Sequence, residues 1–216
     1  MKNLSTQFLT QEEQQRITEA VQKAEKQTSG EIVPMVVSAS HNYPVASAIG
    51  SVFISLPLSL LLTSVTGAFL WLGPQNMWLL LMYWTLLFLP FFYLVDNTTF
   101  LKRLFLLENQ VAEEVEEGAI TSFYSERLYR TRDENGILLF VSILEKKVWI
   151  LGDRGINEKI DQEQWQDIID ELSAGIRANN QCDALCHAVD QVGKVLLEHF
   201  PIRDDDKDEL HNIIIR

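Results

Sequence analysis

The central part of this sequence has no charge. Between Val45 and Val95 there is no Lys, Arg, Asp, Glu or His, although both flanking regions are rich in charged residues. A membrane span needs about 20 mostly apolar residues to cross roughly 30 Å of hydrocarbon. The uncharged run is long enough for two spans, residues 46–72 and 77–95, and Gly73, Pro74 and Asn76 between them favour a tight reversal. The missing charge therefore predicts a hairpin of two transmembrane helices.

The alternative is a helical hairpin buried inside a soluble protein. A surface that is apolar all round would then have to be covered by surrounding protein, and a chain of 216 residues has little to spare. Trp71 and Trp78 flank the predicted turn, where aromatic side chains suit a membrane interface. The membrane interpretation is the one we adopt.

Basic residues and cysteines are also scarce. The 18 Lys and Arg residues face 30 Asp and Glu residues, which gives a net charge of −12. Because affinity for nucleic acid depends mainly on neutralising phosphates with Lys and Arg, a nucleic-acid partner is excluded. Cys182 and Cys186 lie one helical turn apart, and we expect reduced core thiols rather than a disulfide.

The orientation of the predicted hairpin follows from the few basic residues near it. The turn carries none, whereas Lys102 and Arg103 follow the second span and Lys23 and Lys26 precede the first. The flanks of membrane spans that lie in the cytoplasm are enriched in Lys and Arg. We therefore expect both termini in the cytoplasm and the two spans in the inner membrane. Residues 1–16 lack the basic start and apolar stretch of a signal peptide, so we expect the N-terminal part not to be exported.

The flanking regions predict one small α/β domain. A capping box at Thr10 and Glu13 opens a helix, residues 31–39 form a strand, and residues 136–143 and 148–151 form a strand hairpin. Leu104, Leu107 and Val111 begin a helical stripe after the spans. The order of elements implies a small mixed sheet sandwiched by helices and interrupted by the transmembrane hairpin. We predict that residues 1–44 and 96–201 form the domain, that residues 45–95 form the hairpin and that residues 202–216 form an acidic, solvated tail. The alternative for the apolar end of the tail, Ile213-Ile214-Ile215, is that it docks on the domain.

Three motifs occur in order along these flanks: TSGEIV at residues 28–33, TR followed by NGIL at residues 131–132 and 135–138, and GDRGIN at residues 152–157. Together they resemble the TPM domain, a family that includes thylakoid lumen phosphatase-like proteins, a photosystem repair factor and a nematode receptor modulator. The resemblance covers residues 9–201 apart from the hairpin, and within the family the chain looks like a bacterial membrane-spanning subgroup. It implies an α/β sandwich, a divalent-cation site or phosphatase activity in some members, and roles in maintaining membrane complexes in others.

The predicted topology brings several polar residues to one edge of the sheet. If the first two strands are parallel and the third returns antiparallel, Glu31, Asp133, Asn135 and Asp153 meet there, with Glu134 beside them. We expect this edge to face away from the membrane. Oxygen ligands of this kind suit Ca²⁺ or Mg²⁺, and a helix beginning near Asn157 would point amide groups at the same edge for an anion. The alternative is that these residues serve ordinary turns and helix caps.

Other catalytic arrangements have little support in the sequence. No pair among His41, His187, His199 and His211 has metal-ligand spacing on one helix face, and no glycine-rich phosphate loop or nucleophile elbow is present. Two hypotheses follow, and whether the protein is an enzyme stays open. The first is a membrane-anchored accessory or interaction module for membrane-protein complexes, with the bilayer and other membrane proteins as partners. The second is a divalent-cation-dependent phosphatase or hydrolase with its site at the acidic edge.

Overall fold

The computed structural model describes residues 4–73, 75–202 and 210–216. Its strands are β1 Glu31–Val37, β2 Gly136–Ser142, β3 Lys147–Gly152 and β4 Ile214–Ile215. Its helices are α1 Ser5–Phe8, α2 Gln11–Glu25, α3 Pro44–Phe69, α4 Met77–Asn97, α5 Thr99–Leu104, α6 Glu108–Ser125, α7 Arg154–Asn157, α8 Gln166–Arg177 and α9 Gln181–His199, with a 3-10 turn at Gln162–Trp165. The chain divides into two compact units, one comprising Asn42–Gln110 and the other the described residues among 4–41 and 111–216.

The second unit, which we call the α/β unit, is built on a mixed sheet. The strand order is β3-β2-β1-β4; β1 pairs in parallel with β2 and with β4, and β2 pairs antiparallel with β3. The parallel pair is joined by a crossover that contains the two long apolar helices and α6. The prediction of a mixed sheet with helices on its faces, and of parallel first and second strands, is confirmed.

The two faces of the sheet bury different helices. Every residue of β1 and of β2 is buried, as expected for central strands covered on both faces. Alternate strand residues such as Ile32 and Ile137 join a core with α2, α8 and α9, to which α9 contributes Leu185, Val189, Val192 and Leu196, all fully buried. Helix α6 covers the opposite face, where Gly118 lies beside the Phe140 ring. The apolar sides of α2, α8 and α9 therefore face the sheet.

The C-terminal end of the chain docks on the sheet. Strand β4 lies alongside Met35 and Val36, the Arg216 amide donates to the Val36 carbonyl at 2.9 Å, and the Ser38 amide donates to the Arg216 carbonyl at 2.9 Å. The predicted acidic residues Asp204, Asp205, Asp206, Asp208 and Glu209 lie outside the described residues, as does Pro74 of the predicted turn. Of the two fates considered for the apolar end of the tail, docking is the one in the structure.

The first unit contains the two long helices packed against each other. Both are long and apolar enough to cross a membrane by length and composition. Helix α3 turns a stripe of small polar residues toward α4, with one buried side chain every fourth position: Ser47, Ser51, Ser55, Ser59 and Thr63. Small residues at this spacing let two helix backbones approach closely. The half-buried side of α4 carries large side chains, among them Trp84, Phe88 and Phe91.

One predicted helix is divided in two. The stripe from Leu104 to Val115 was expected to form one helix, but α5 ends at Leu104 and α6 begins at Glu108. Leu104 and Leu107 are exposed, by 67% and 55%, whereas Val111 and Val115 are buried. The apolar spacing was read as continuous because the three residues between the helices, Phe105, Leu106 and Leu107, are themselves apolar.

Candidate functional site

The predicted site residues lie at one end of the sheet in the α/β unit. Glu31 begins β1 and pairs with Gly136, the first residue of β2. Asp153 follows β3, and its amide donates to the Gly136 carbonyl at 2.8 Å. Glu31 and Asp153 are therefore in one row across the sheet with Gly136 between them, two strand spacings or about 10 Å apart at the backbone.

The position between the two acids is covered by the C-terminal segment. The Glu31 carboxylate accepts a hydrogen bond from the Leu210 amide at 3.3 Å, and Glu31 is only 5% exposed. A Cβ atom on Gly136 would lie 3.5 Å from the Leu210 side chain and 2.6 Å from the Leu128 carbonyl oxygen. An apolar side chain thus lies over Gly136, and Glu31 is bound to the docked tail.

Asn135 ties together the loops at this end of the sheet. Its side-chain amide donates to the Ser29 carbonyl, its backbone amide donates to the Thr131 hydroxyl at 3.0 Å, and its carbonyl accepts from the Glu31 amide at 3.2 Å. Asn135 is 4% exposed, so each of these bonds is shielded from water. The residue holds the loops before β1 and β2 in register.

The Asp133-Glu134 turn packs against the start of α7. The Gly155 amide donates to the Glu134 carbonyl at 3.0 Å. A Cβ on Gly155 would lie 2.7 Å from that carbonyl oxygen and 2.8 Å from the Asp133 carbonyl oxygen, so only glycine fits without displacing the turn. Glu134 has a positive φ of 52° and is exposed, while Asp133 is half-buried.

Asp153 has one carboxylate oxygen in use and one without a partner. Oδ1 accepts the Arg154 amide at 2.7 Å and caps α7, whereas Oδ2 is buried and has no hydrogen-bond partner among the described residues. Burial raises the pKa of this carboxyl, and the nearby Glu134 charge raises it further, against the opposing effect of the Arg154 amide. This carboxyl is therefore disposed to hold a proton or to meet a cation.

The helix that was expected to point free amide groups at an anion differs from the one in the structure. The helix begins at Arg154 rather than near Asn157, and it is a single turn. Its first amides are already bonded: Arg154 to the Asp153 carboxylate, Gly155 to the Glu134 carbonyl, and Ile156 to the Asp153 carbonyl at 3.1 Å. The Asp153 side chain thus caps α7, one of the ordinary roles considered for the site residues.

Asp153 lines an open cleft of about 470 Å³ in the α/β unit. One wall comes from α6, with Ile120, Phe123 and Tyr124, and the other from residues 151–158. Tyr124 is 62% exposed, and the Arg154 guanidinium binds the Glu158 carboxylate at 2.9 Å. An apolar and aromatic wall facing a few polar groups is the usual make-up of a ligand pocket.

Residues 97–195 match the family profile of the TPM domain. The match covers 99 of the 216 residues, a little under half of the chain. The matched residues include α6, β2, β3, α7 and α8, and they contain Asp133, Asn135 and Asp153 of the candidate site.

One solved structure similar to this chain is the NMR structure of the BA42 protein from the psychrophilic bacterium Bizionia argentinensis. It has a TM-score of 0.57 and 22% sequence identity, with 96% of this chain and 94% of that chain covered. At this identity the likeness shows the fold alone. No curated protein matches the sequence.

Glu31, Asp133, Asn135 and Asp153 are the residues predicted to hold a divalent cation. Among the described residues there is no group of three or more His, Cys, Asp or Glu side chains placed to hold a metal ion. Glu31 binds the tail amide and Asn135 donates to the Ser29 carbonyl, whereas Asp153 keeps one oxygen without a partner among the described residues. The set Glu31, Asp133, Asn135 and Asp153 stays a prediction, and no reaction step is derived through Ca²⁺ or Mg²⁺.

A second polar cleft, missed from the sequence, lies at the other end of the sheet. It measures about 370 Å³ and is lined in part by Ser40, His41 and Glu114. His41 Nδ1 lies 3.2 Å from the Glu114 carboxylate. Beside it, the buried Glu145 accepts bonds from the Ser40 amide at 3.0 Å and from the Ser40 and Ser142 hydroxyls. The signal was hidden because His41 and Glu114 are separated in the sequence by the whole hairpin.

Proposed function

We propose that this protein is a membrane-anchored TPM domain that acts as an accessory or interaction module for membrane-protein complexes. In this proposal α3 and α4 cross the inner membrane of a bacterium, both chain termini are cytoplasmic, and the α/β unit presents the binding surface. The observation that carries the proposal is the outer surface of the α3 and α4 pair.

That outer surface is mainly apolar and carries no charge before Asp96. Large apolar side chains are exposed along the whole length of both helices: Phe53, Leu60, Leu61, Val65 and Phe69 on α3, and Met77, Trp78, Leu86 and Leu89 on α4. Five small polar side chains of α3, Ser47, Ser51, Ser55, Ser59 and Thr63, are buried rather than part of this surface. A soluble helix normally keeps a charged face toward water, and neither helix has one before Asp96. Lipid hydrocarbon is the solvent that suits such a surface.

An interaction role is favoured over catalysis by how the site uses its polar groups. Glu31, Asn135 and the first amides of α7 are all bonded within the protein, so few are left to act on a substrate. The cleft beside Tyr124 offers aromatic area on a rigid helix, and aromatic anchors of this kind dominate the binding energy of many protein interfaces.

The anchoring part of the proposal is tested by thiol accessibility. A cysteine replacing Gln75, in the turn between α3 and α4, is introduced into a Cys182→Ala and Cys186→Ala chain expressed in a bacterial cell. We expect a membrane-impermeant maleimide added to intact cells to label this cysteine but not one replacing the exposed Glu198 of α9. Labelling of the Glu198 position from outside, or of Gln75 only after lysis, would contradict the orientation.

The interaction part is tested with a photo-crosslinking amino acid at Tyr124, with Glu198 as the matched exposed control. We expect crosslinks from Tyr124, but not from Glu198, to integral membrane proteins in native membranes. Equal yields at the two positions would contradict a binding surface at the cleft.

The second candidate function is a divalent-cation-dependent phosphatase or hydrolase. The unpartnered Asp153 Oδ2 beside the cleft favours it. The test is phosphoester hydrolysis by the purified full chain with and without Mg²⁺ or Ca²⁺, comparing Asp153→Ala with the exposed control Asp161→Ala. Cation-dependent turnover that is lost only in Asp153→Ala would overturn the first proposal.

A further inference from the structure

The segment after α4 folds back along the hairpin instead of continuing away from it. The Lys102 ammonium lies 2.9 Å from the Asp96 carboxylate, and the Phe105 ring packs at a tilt against Phe53 with 5.8 Å between ring centroids. A Cβ on Gly50 would lie 2.7 Å from the Phe105 ring and 3.0 Å from Val95, so glycine makes room for this contact. These contacts hold α5 and the residues after it against the N-terminal half of α3.

The outward side of this segment is apolar and uncovered. Phe100 is 75% exposed, Leu104 67% and Leu107 55%, and Arg103 is also exposed. The inward side carries Lys102, which is 1% exposed. The helix therefore has its polarity reversed relative to a soluble surface helix, with the charge that pairs inside and the apolar groups outside.

The depth of the segment follows from the lengths of the two long helices. Hydrocarbon about 30 Å thick takes about 20 helical residues. Counted from its end at Phe69, the 26-residue α3 reaches that length near Gly50, and the 21-residue α4 reaches it at its end near Asp96. The two estimates agree, because the Ser47 hydroxyl at the start of α3 donates to the Asp96 carboxylate at 2.9 Å. Phe105, in contact with Gly50, is at this boundary.

We propose that Thr99–Leu104 and the following residues to Leu107 form an in-plane membrane anchor, with Phe100, Leu104 and Leu107 inserted at the boundary between lipid headgroups and acyl chains. Arg103 lies at the level of the lipid phosphates. This inference rests on the proposed function, since it requires α3 and α4 to span the bilayer. The occupant of the exposed face is lipid, because the face continues the apolar surface of the hairpin and meets it at the depth where the hydrocarbon ends.

The test uses the full chain in the Cys182→Ala and Cys186→Ala background, reconstituted in phosphatidylcholine and phosphatidylglycerol vesicles. An environment-sensitive fluorophore is attached to a cysteine at Leu104, at Leu86 in the middle of α4, or at the exposed Asn109 just beyond the segment. Lipids with a nitroxide near the headgroup or deep in the acyl chain serve as quenchers. A second probe at Phe100 guards against one labelled variant failing to fold.

We expect the shallow nitroxide to quench the Leu104 and Phe100 probes about twofold more than the Asn109 probe, with the deep nitroxide acting best on Leu86. Quenching at Leu86 with Leu104 and Phe100 no better quenched than Asn109 would overturn the in-plane anchor and leave the spanning hairpin intact. Absence of quenching at Leu86 as well would overturn the spanning hairpin itself.

Discussion

The ammonium of Lys102 is 2.9 Å from the carboxylate of Asp96, with the lysine side chain 2% exposed and the aspartate side chain 39% exposed. The same carboxylate oxygen accepts the Ser47 hydroxyl. One carboxylate therefore joins the start of α3, the end of α4 and helix α5. Because the lysine is buried and the aspartate is partly exposed, we expect the lysine to need its partner more than the aspartate does.

The ion pair predicts an asymmetric pair of substitutions. Asp96→Ala leaves a buried ammonium without its partner and is expected to cost about 1–3 kcal/mol of unfolding free energy. Lys102→Met leaves a carboxylate that water can reach, and its cost is expected to be smaller. The measurement is unfolding of the full chain by sodium dodecyl sulfate in mixed micelles, followed by circular dichroism. The double variant should resemble Lys102→Met; equal losses in the two single variants would refute the asymmetry.

Asp153 predicts a pH dependence of stability. Its pKa is raised in the folded protein, chiefly by burial, from the ordinary value of 3.8. The folded state then holds the proton more tightly, so the stabilisation is complete below pH 3.8 and is lost as the pH rises through the folded pKa. Asp153→Asn, which keeps the capping oxygen, should match the wild type in acid and exceed it in urea midpoint at pH 7. Asp161→Asn is the exposed control, and a variant less stable than wild type at pH 7 would contradict the sign.

The docked tail predicts a loss of stability on truncation. A chain that ends at residue 209 loses β4 and the contacts of Ile213 and Ile215 with the core. We expect the free energy of unfolding in urea to fall by on the order of 2 kcal/mol from the lost apolar burial. The opened edge of β1 should also promote association, visible by size-exclusion chromatography. His211→Ala, at an exposed position of the same segment, should change neither quantity.

The two thiols predict slow alkylation. Burial raises the pKa of Cys186 to about 11, with Cys182 adding to the shift, and burial also raises the pKa of Cys182. At pH 8 only about a thousandth of Cys186 is then thiolate, the reactive form. Iodoacetamide labelling, followed by mass spectrometry, should be slower than at a cysteine placed at Gln75, and its rate should keep rising up to pH 10. A rise of less than about twofold between pH 9 and pH 10, instead of the nearly tenfold rise expected for a pKa of about 11, would show an ordinary thiol.

Elements set by local pattern were predictable from the sequence. The Thr10 and Glu13 capping box starts α2 as expected, with both of its reciprocal hydrogen bonds present. The short apolar run predicted at residues 136–143 gave strand β2, because a short continuous apolar run is typical of a strand buried on both faces. The uncharged central run likewise gave two long helices, Pro44–Phe69 and Met77–Asn97, close to the predicted ranges.

Features that depend on distant contacts were not predictable. Strand β4 has two residues, and its pairing with Met35 is a matter of tail docking rather than of strand propensity. Leu210 covers the position between Glu31 and Asp153 for the same reason, so the sequence placed these acids at one end of the sheet without indicating what lies between them. The break between α5 and α6 was hidden because the exposed Leu104 and the buried Val115 belong to one apolar spacing in the sequence.

The insertion of the hairpin between β1 and β2 has a consequence for how this protein is made. About a hundred residues separate the two strands, and they must emerge from the ribosome before β1 can find its parallel neighbour. During that time β1, with seven residues that are buried in the finished sheet, waits without a partner. Since α3 and α4 are synthesised in the interval, both long helices are complete before the sheet can close. Biogenesis and folding of this chain are thus ordered by its topology, with the sheet as the last part to close.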